Sequence, residues 1–399
     1  MTSLFLVGPE GTTRALFPCL LALALGACGG DSSPTPNKDA GDDGTVKDDD
    51  GNVDDPDGEV DDTDWPTITG PFEWATETMI SDNGTVVCFD ITYDSEGLTI
   101  GGQYCRPKAA GTYPILMVNH GLQCYRCENP TPRFAALGYA AFESMYRGEE
   151  TSDGEIELCT GEVSDVRKML AIAKTLDFVD AERVGMIGFS HGGCITTKTM
   201  IAEFETNGPG SLDAVVNVFG PSNFVDVHAL WQWRVDNVCP NPLFAELCAA
   251  SQANIAFLEG VMGGAPDETP AAYAQHGTVR LASRIDAVDS PYLLLHGVQD
   301  LVVPVVNNCE LAAALEGVEA WHFDAGGSLT TARPGKGIFS NPGDCAGIDN
   351  GWKNTAAPTT TYGDRTFIVY DNAAHDASQN QGVEFFSRAT VFLGERLDP

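Results

Sequence analysis

Gly188-Phe189-Ser190-His191-Gly192-Gly193 lies between an apolar run, Arg183-Val184-Gly185-Met186-Ile187, and a stretch of helical character from Cys194 to Phe204. The run reads as a buried strand, and a Gly-x-Ser-x-Gly between strand and helix is the pattern of a tight turn that exposes its serine hydroxyl. Glycines at 188 and 192 let the chain pass close to the neighbouring strand and helix. The serine then sits at a helix N-terminus, where the helix dipole favours developing negative charge. The bland alternative for five such residues is an ordinary turn, and the flanking strand and helix argue against it.

A serine hydroxyl is a weak nucleophile at neutral pH. It needs a base within hydrogen-bond reach, and the base needs a partner that holds its tautomer. On a turn of this kind the acid and the base follow the serine in that order, each on a loop after a later strand. Ser290-Pro291-Tyr292-Leu293-Leu294-Leu295-His296-Gly297-Val298-Gln299-Asp300 is an apolar strand running into a loop, which makes Asp300 the candidate acid against the alternative of a plain turn aspartate. Thr366-Phe367-Ile368-Val369-Tyr370 ends in Asp371-Asn372-Ala373-Ala374-His375, which makes His375 the candidate base. Of the seven histidines, His120 and His296 precede glycine just after strands and read as structural. His228, His276 and His322 lack the strand-then-loop setting in the right order. Two N–H donors must face the tetrahedral oxygen. One is expected from the backbone of His191. The other is expected from the loop after Pro114-Ile115-Leu116-Met117-Val118-Asn119, with Leu122 first and Gln123 second.

Several blocks together resemble the α/β-hydrolase superfamily, and more narrowly the catalytic domain of the prolyl oligopeptidase family and its dienelactone-hydrolase-like relatives. They are Val118-Asn119-His120-Gly121, Tyr146-Arg147-Gly148, Phe178-Val179-Asp180-Ala181-Glu182-Arg183-Val184-Gly185, the serine turn, Pro270-Ala271-Ala272-Tyr273, and His296-Gly297-Val298-Gln299-Asp300 with Val303-Pro304. The resemblance runs from about Thr85 to the C-terminus. It implies an α/β fold with a mostly parallel central sheet flanked by helices and a cap insertion, and a serine hydrolase with no cofactor or metal. Two departures stand out. Only about Trp65 to Thr112 precedes the first core block, too little for the β-propeller of prolyl oligopeptidase. The stretch from Asp300 to His375 is long, with an extra Gly-, Pro-, Thr- and Asn-rich part at about Gly326 to Tyr362 that reads as an inserted loop. The substrate is therefore left open between a peptide and an ester.

The periodicity agrees with that architecture. Thr85 to Tyr93 and Leu98 to Cys105 alternate around an Asp-Ser-Glu-Gly turn and read as a hairpin. Strands are expected at Ile115–Asn119, Tyr139–Met145, Val184–Gly188, Ala214–Phe219, Tyr292–His296 and Thr366–Tyr370, with helices at Glu162–Leu176, Asn307–Leu315 and Gly382–Leu397. Alternation of this kind gives a largely parallel sheet covered on both faces. About 220–290 lies where a cap is expected. Its Trp231, Trp233, Phe244, Phe257 and Met262 read either as pocket residues or as packing of the cap onto the sheet.

The N-terminal region carries an address. Ala15 to Ala27 is apolar but too short to span a bilayer and fits a signal-peptide core, and Leu25-Gly26-Ala27-Cys28 matches a lipobox. Residues 1–27 are thus expected to be removed and Cys28 to carry lipid, anchoring the protein to a bacterial membrane, with plain secretion the alternative. Gly29 lacks the aspartate that would hold a lipoprotein in the inner membrane. Residues 28–64 read as a disordered tether: Asp31 to Asp64 holds 14 acidic residues and 2 lysines, a net of −12 out of the chain's −35. The Asp48-Asp49-Asp50-Gly51-Asn52 run fails as a calcium loop, because Gly51 in the sixth position puts Val46 in the first. Residues 65–399 form the catalytic domain, whose acidity argues against nucleic-acid partners.

Ten of the 12 cysteines remain beyond Cys19 and Cys28, an even number that suggests disulfides in an exported chain. Cys88 with Cys105, Cys239 with Cys248 and Cys309 with Cys345 are plausible pairs; Cys124 and Cys127 read as a structural bridge, and Cys159 and Cys194 as either paired or buried. Two further functions compete with hydrolysis: a surface binding protein on an inactive hydrolase fold, and a thiol oxidoreductase using Cys124 and Cys127, which lack the usual β-α context.

Overall fold

The computed structural model describes residues 5–7, 13–15, 65–126, 130–332, 334, 345, 352–353, 361–375 and 382–399. Apart from a short antiparallel pair, Phe5–Val7 with Thr13–Ala15, the expectations for residues 1–64 lie outside that set, as do Cys127 and most of the 326–362 segment. No helix among the described residues is long and apolar enough to cross a membrane.

Eleven strands form one sheet: β1 Thr76–Asp82, β2 Val86–Ser95, β3 Leu98–Pro107, β4 Tyr113–Asn119, β5 Ala140–Ser144, β6 Val179–Phe189, β7 Ala214–Val218, β8 Tyr292–Gly297, β9 Glu319–Phe323, β10 Leu329–Thr330 and β11 Arg365–Tyr370. Their spatial order is β10-β9-β11-β8-β7-β6-β4-β5-β3-β2-β1. Pairing is parallel from β9 through to β5, while β10 and the β1–β3 end are antiparallel. A strand buried on both faces needs no polar alternation. In β4, accordingly, Ile115 and Met117 join one apolar cluster while Leu116 and Val118 join the other.

Nine α-helices are described: α1 Pro130–Ala136, α2 Gly161–Ala173, α3 His191–Asn207, α4 Phe224–Asn237, α5 Ala245–Met262, α6 Pro270–His276, α7 Ala282–Ala287, α8 Val306–Ala314 and α9 Gly382–Leu397. Helix α9 buries Phe385, Ala389, Phe392 and Leu393 on one face of the sheet, together with Phe134 of α1. That is the i, i+4, i+7, i+8 stripe of an amphipathic helix. Helices α2, α3 and α8 and the cap helices cover the other face.

The hairpin forms where the alternation places it, and its turn is Glu96-Gly97, with φ of 55° and 82°. Two central residues at positive φ make the tight turn that matches strand twist. Cys88 lies opposite Cys105 in this ladder and is bonded to it. Bridges also join Cys239 to Cys248, Cys309 to Cys345, and Cys159 to Cys194, the pair the sequence leaves open. Strands β1, β9 and β10 are not legible in the sequence pattern. Strand β1 is exposed along its whole length, so it carries no inward apolar face to read. Strand β10 lies inside the segment expected to be a loop, which is thereby tied to the sheet: β10 pairs with β9, Trp352 bridges Ala320, and Cys345 is bonded to Cys309.

The Tyr146-Arg147-Gly148 block is structural. Arg147 is buried and donates to Asp165 Oδ1 at 2.9 Å and Oδ2 at 3.1 Å, to Glu157 at 3.0 Å and to Glu96 at 2.7 Å. It ties the β2–β3 turn, the loop after β5 and helix α2 into one unit. Removing one partner of a buried pair leaves the other charge uncompensated. Arg147→Met should therefore lower the unfolding free energy by about 3–5 kcal/mol, read from the midpoint of a urea titration.

Candidate active site

Ser190 stands at the junction of β6 and α3 with φ 54° and ψ −124°, a strained pair for a residue with a Cβ. The strain arises because α3 starts very close to the end of β4. A Cβ on Gly192 would collide with the carbonyl groups of Asn119 and His120, and one on Gly188 with the backbone of Gly192 and with Thr196. Side-chain bonds lock the approach: Asn119 Nδ2 donates to Thr196 Oγ1 at 2.7 Å, and Asn217 Nδ2 donates to Thr197 Oγ1 at 3.1 Å. The Ser190 N–H donates to Val218 O of β7 at 3.0 Å.

Asp300 and His375, from the loops after β8 and β11, converge on this turn. His375 Nδ1 lies 2.7 Å from Asp300 Oδ2, and His375 Nε2 lies 2.8 Å from Ser190 Oγ. An ionised carboxylate only accepts, so Nδ1 carries the proton and Nε2 offers its lone pair to the Ser190 hydroxyl. The other oxygen of Asp300 accepts from the amides of Val302 and Val303, both at 2.8 Å. Burial alone would raise the Asp300 carboxyl, but the neighbouring His375 and His296 and their hydrogen bonds win and hold it well below the usual carboxylate range. The Gln299 N–H donates to Ala373 O at 2.9 Å, tying the acid loop to the histidine loop. The ring of Phe219 lies 4.4 Å from that of His375, which is left largely covered.

The loop after β4 passes beside the nucleophile, since a Cβ on Gly121 would lie 3.3 Å from Ser190 Cβ. Gln123, the second choice for an inward amide, donates its N–H to Glu149 Oε1 at 2.8 Å. That leaves Leu122 as the amide of this loop that remains a candidate. The His191 N–H heads α3, where no intrahelical carbonyl lies behind it.

The remaining histidines are engaged elsewhere. His120 stacks on Tyr146 at 4.2 Å, His228 meets Glu259 and His322 meets Asp371, both at 2.8 Å, and His276 bonds Leu158 O at 2.7 Å. His296, read as structural, lies 3.4 Å from Asp300 Oδ2 and bonds Val303 O at 3.0 Å, so it braces the acid loop. A further brace was not legible in the sequence. Arg234 of cap helix α4 is buried and donates to Leu301 O, beside Asp300. An arginine inside an amphipathic helix carries no local signal of a contact made 67 residues away. Of the cap aromatics, Trp231 packs into the core with Met262, whereas Phe257 lines a cavity of about 550 Å³ with Ile156, Val261 and His276. Among the described residues no cluster of three or more histidines, cysteines and carboxylates has the form of a metal site.

Comparison with known proteins finds likenesses among peptidases and esterases. The family model for X-Pro dipeptidyl-peptidases (S15 family) matches residues 96–241. A Bacillus subtilis protein named as an uncharacterized peptidase, YtmA, is 23% identical over 242 residues, covering 59% of this chain and 83% of its own. Among solved structures, acylaminoacyl peptidase of Pyrococcus horikoshii superposes with a TM-score of 0.51 at 17% identity, over 78% of this chain and 41% of that one. Acetyl xylan esterase 1 of Thermoanaerobacterium sp. JW/SL YS485 gives 0.50 at 15% identity, over 79% and 87%. The protein has the α/β-hydrolase fold. The proteins it resembles are named as peptidases and esterases.

A carboxylate that fixes the imidazole tautomer should be irreplaceable by its amide. Asp300→Asn is expected to slow labelling of Ser190 by a fluorophosphonate by about 10³–10⁴-fold, with the circular dichroism spectrum unchanged.

Proposed function

We propose that the protein is an exported, lipid-anchored serine hydrolase that cleaves peptide bonds through an acyl-enzyme, in the manner of a prolyl-oligopeptidase-like catalytic domain. The observation that carries the reading is the continuous relay from Asp300 through His375 to Ser190 Oγ, at 2.7 and 2.8 Å. Ser190 Oγ attacks the scissile carbonyl carbon as its proton passes to His375 Nε2. Asp300 keeps the imidazole oriented and stabilises the imidazolium. The amides of His191 and Leu122 receive the oxyanion. His375 then protonates the leaving group, and water, deprotonated by the same nitrogen, releases the acid. No metal or cofactor enters the scheme.

The peptidase reading draws on the S15 match and the Bacillus relative. A carboxylesterase would use the same atoms, so the bond cleaved is decided by assay. Protein starting at Trp65 is compared with Ser190→Ala on a short-chain p-nitrophenyl ester and on dipeptide and prolyl chromogenic amides. Amide turnover that falls by about 10⁴–10⁶-fold in the variant is expected. Ester turnover without amide turnover would make the protein an esterase. Turnover equal in both proteins would leave a binding protein on a hydrolase fold.

The anchoring reading rests on Leu25-Gly26-Ala27-Cys28, and the four disulfides among the described residues suit an oxidising compartment. In a bacterial host fed radiolabelled palmitate, the full chain should take up label and fractionate with outer membranes. Cys28→Ser should abolish the label.

A further inference from the structure

The imidazole of His191 is buried against Tyr146 and the loop that carries Cys159. The two rings meet in a T-shape with centroids 5.8 Å apart, and Glu162 Oε1 lies 3.8 Å from His191 Nε2. That nitrogen lies 3.2 Å from the backbone N of Cys159 and accepts that N–H. Burial above all, helped by the proximity of the His120 and His276 rings, holds the ring down to about 3. The ring is therefore neutral under working conditions and keeps the lone pair that this bond requires. The fold tolerates an Nδ1 with no partner among the described residues in order to place Nε2 there.

Cys159 makes a second connection, a disulfide to Cys194 in the first turn of α3. The loop that carries Cys159 is itself fixed. Leu158 and Cys159 have φ of 48° and 69°, a conformation that surrounding contacts must impose. The Glu162 carboxylate accepts the N–H of Glu157 at 2.7 Å and of Thr160 at 3.1 Å, and His276 Nδ1 of cap helix α6 bonds Leu158 O at 2.7 Å.

We propose that the His191 ring and the Cys159–Cys194 bridge form a clamp that positions the His191 amide for the oxyanion. The inference rests on the serine hydrolase reading given above. The ring holds residue 191, which carries the amide, and the bridge holds residue 194 three positions further on, so the first turn of α3 is anchored just C-terminal to the 190–191 peptide plane that must stay still while charge develops on the substrate oxygen. A donor aimed in advance needs no reorganisation during the reaction, and a shift of about 1 Å costs on the order of 10²-fold in rate. His191 and the two cysteines are positioning residues: none of their side chains touches the reacting atoms.

The test compares His191→Leu, His191→Gln and the double variant Cys159→Ser/Cys194→Ser on whichever chromogenic substrate shows Ser190-dependent turnover. Glutamine can offer its side-chain oxygen to the Cys159 N–H, and leucine cannot. In His191→Leu, kcat is expected to fall about 10–100-fold with KM within about twofold. Inhibition by an arylboronic acid, whose tetrahedral adduct occupies the oxyanion position, is expected to weaken in proportion. His191→Gln is expected to restore most of both, and the double serine variant to fall between. Equal kcat in the leucine and glutamine variants, or a loss confined to KM with boronate inhibition unchanged, overturns the clamp. Should His191→Leu not fold, the double serine variant decides alone: kcat and boronate affinity falling together supports the clamp, and neither falling overturns it. Turnover that does not depend on Ser190 would instead overturn the hydrolase reading itself.

Discussion

The constraint on which the rest of the molecule depends is the near-contact of the start of α3 with the end of β4. The chain must leave β6, turn within one residue and enter a helix while passing against the Asn119 and His120 carbonyls. Only a residue held at φ 54° achieves that, and the strain costs about 1–3 kcal/mol. The burial of β4, β6 and β7 on both faces offsets it. The return is a hydroxyl at a helix N-terminus, 2.8 Å from His375 Nε2. The Asn119–Thr196 and Asn217–Thr197 bonds stop the turn from relaxing.

Everything else at the site is support for that turn. Parallel strands put their C-terminal ends on one edge of the sheet, so the loops after β4, β5, β6, β7, β8 and β11 meet there whatever their separation in sequence. Each loop is tied to a neighbour. Gln299 bonds Ala373, Glu149 holds Gln123, Arg234 of the cap holds Leu301, and Cys159 holds both His191 and Cys194. The acidic loop after β5 is neutralised only in part, by Arg147, which faces Glu96, Glu157 and Asp165 together. These braces also explain how long connections, including the 326–362 segment bonded through Cys345, coexist with a site whose hydrogen bonds are short.

Much of this was legible in the chain. The serine turn announces itself because its chemistry needs glycines at fixed spacing, and the acid and base follow because each ends an apolar strand. The six core strands and α9 were readable because burial on two faces, or on one helical stripe, leaves a pattern. Strand β1 left none, being exposed throughout, and β10 is two residues long. The sequence marked the hairpin and offered Cys88 with Cys105 as one plausible pair, and the two-residue Glu96-Gly97 turn of the structure set the register that places them opposite each other.

What only the tertiary structure decided are the contacts between segments whose local sequence does not specify a partner. That Cys159 meets Cys194, that Arg234 reaches the acid loop, that Gln123 spends its amide on Glu149, and that the His191 ring is buried against the Cys159 loop all follow from where the loops at the C-terminal edge come to rest. Short-range pattern records which face of an element is buried. It holds no record of which distant residue lies across the interface, because any apolar or hydrogen-bonding partner of similar size would leave the same periodicity. The sequence by itself determined a doubly covered parallel sheet with a serine, an aspartate and a histidine at its carboxyl edge. Their mutual distances, and the braces that hold those distances, exist only once the sheet has brought loops from residues 120 to 375 to one place.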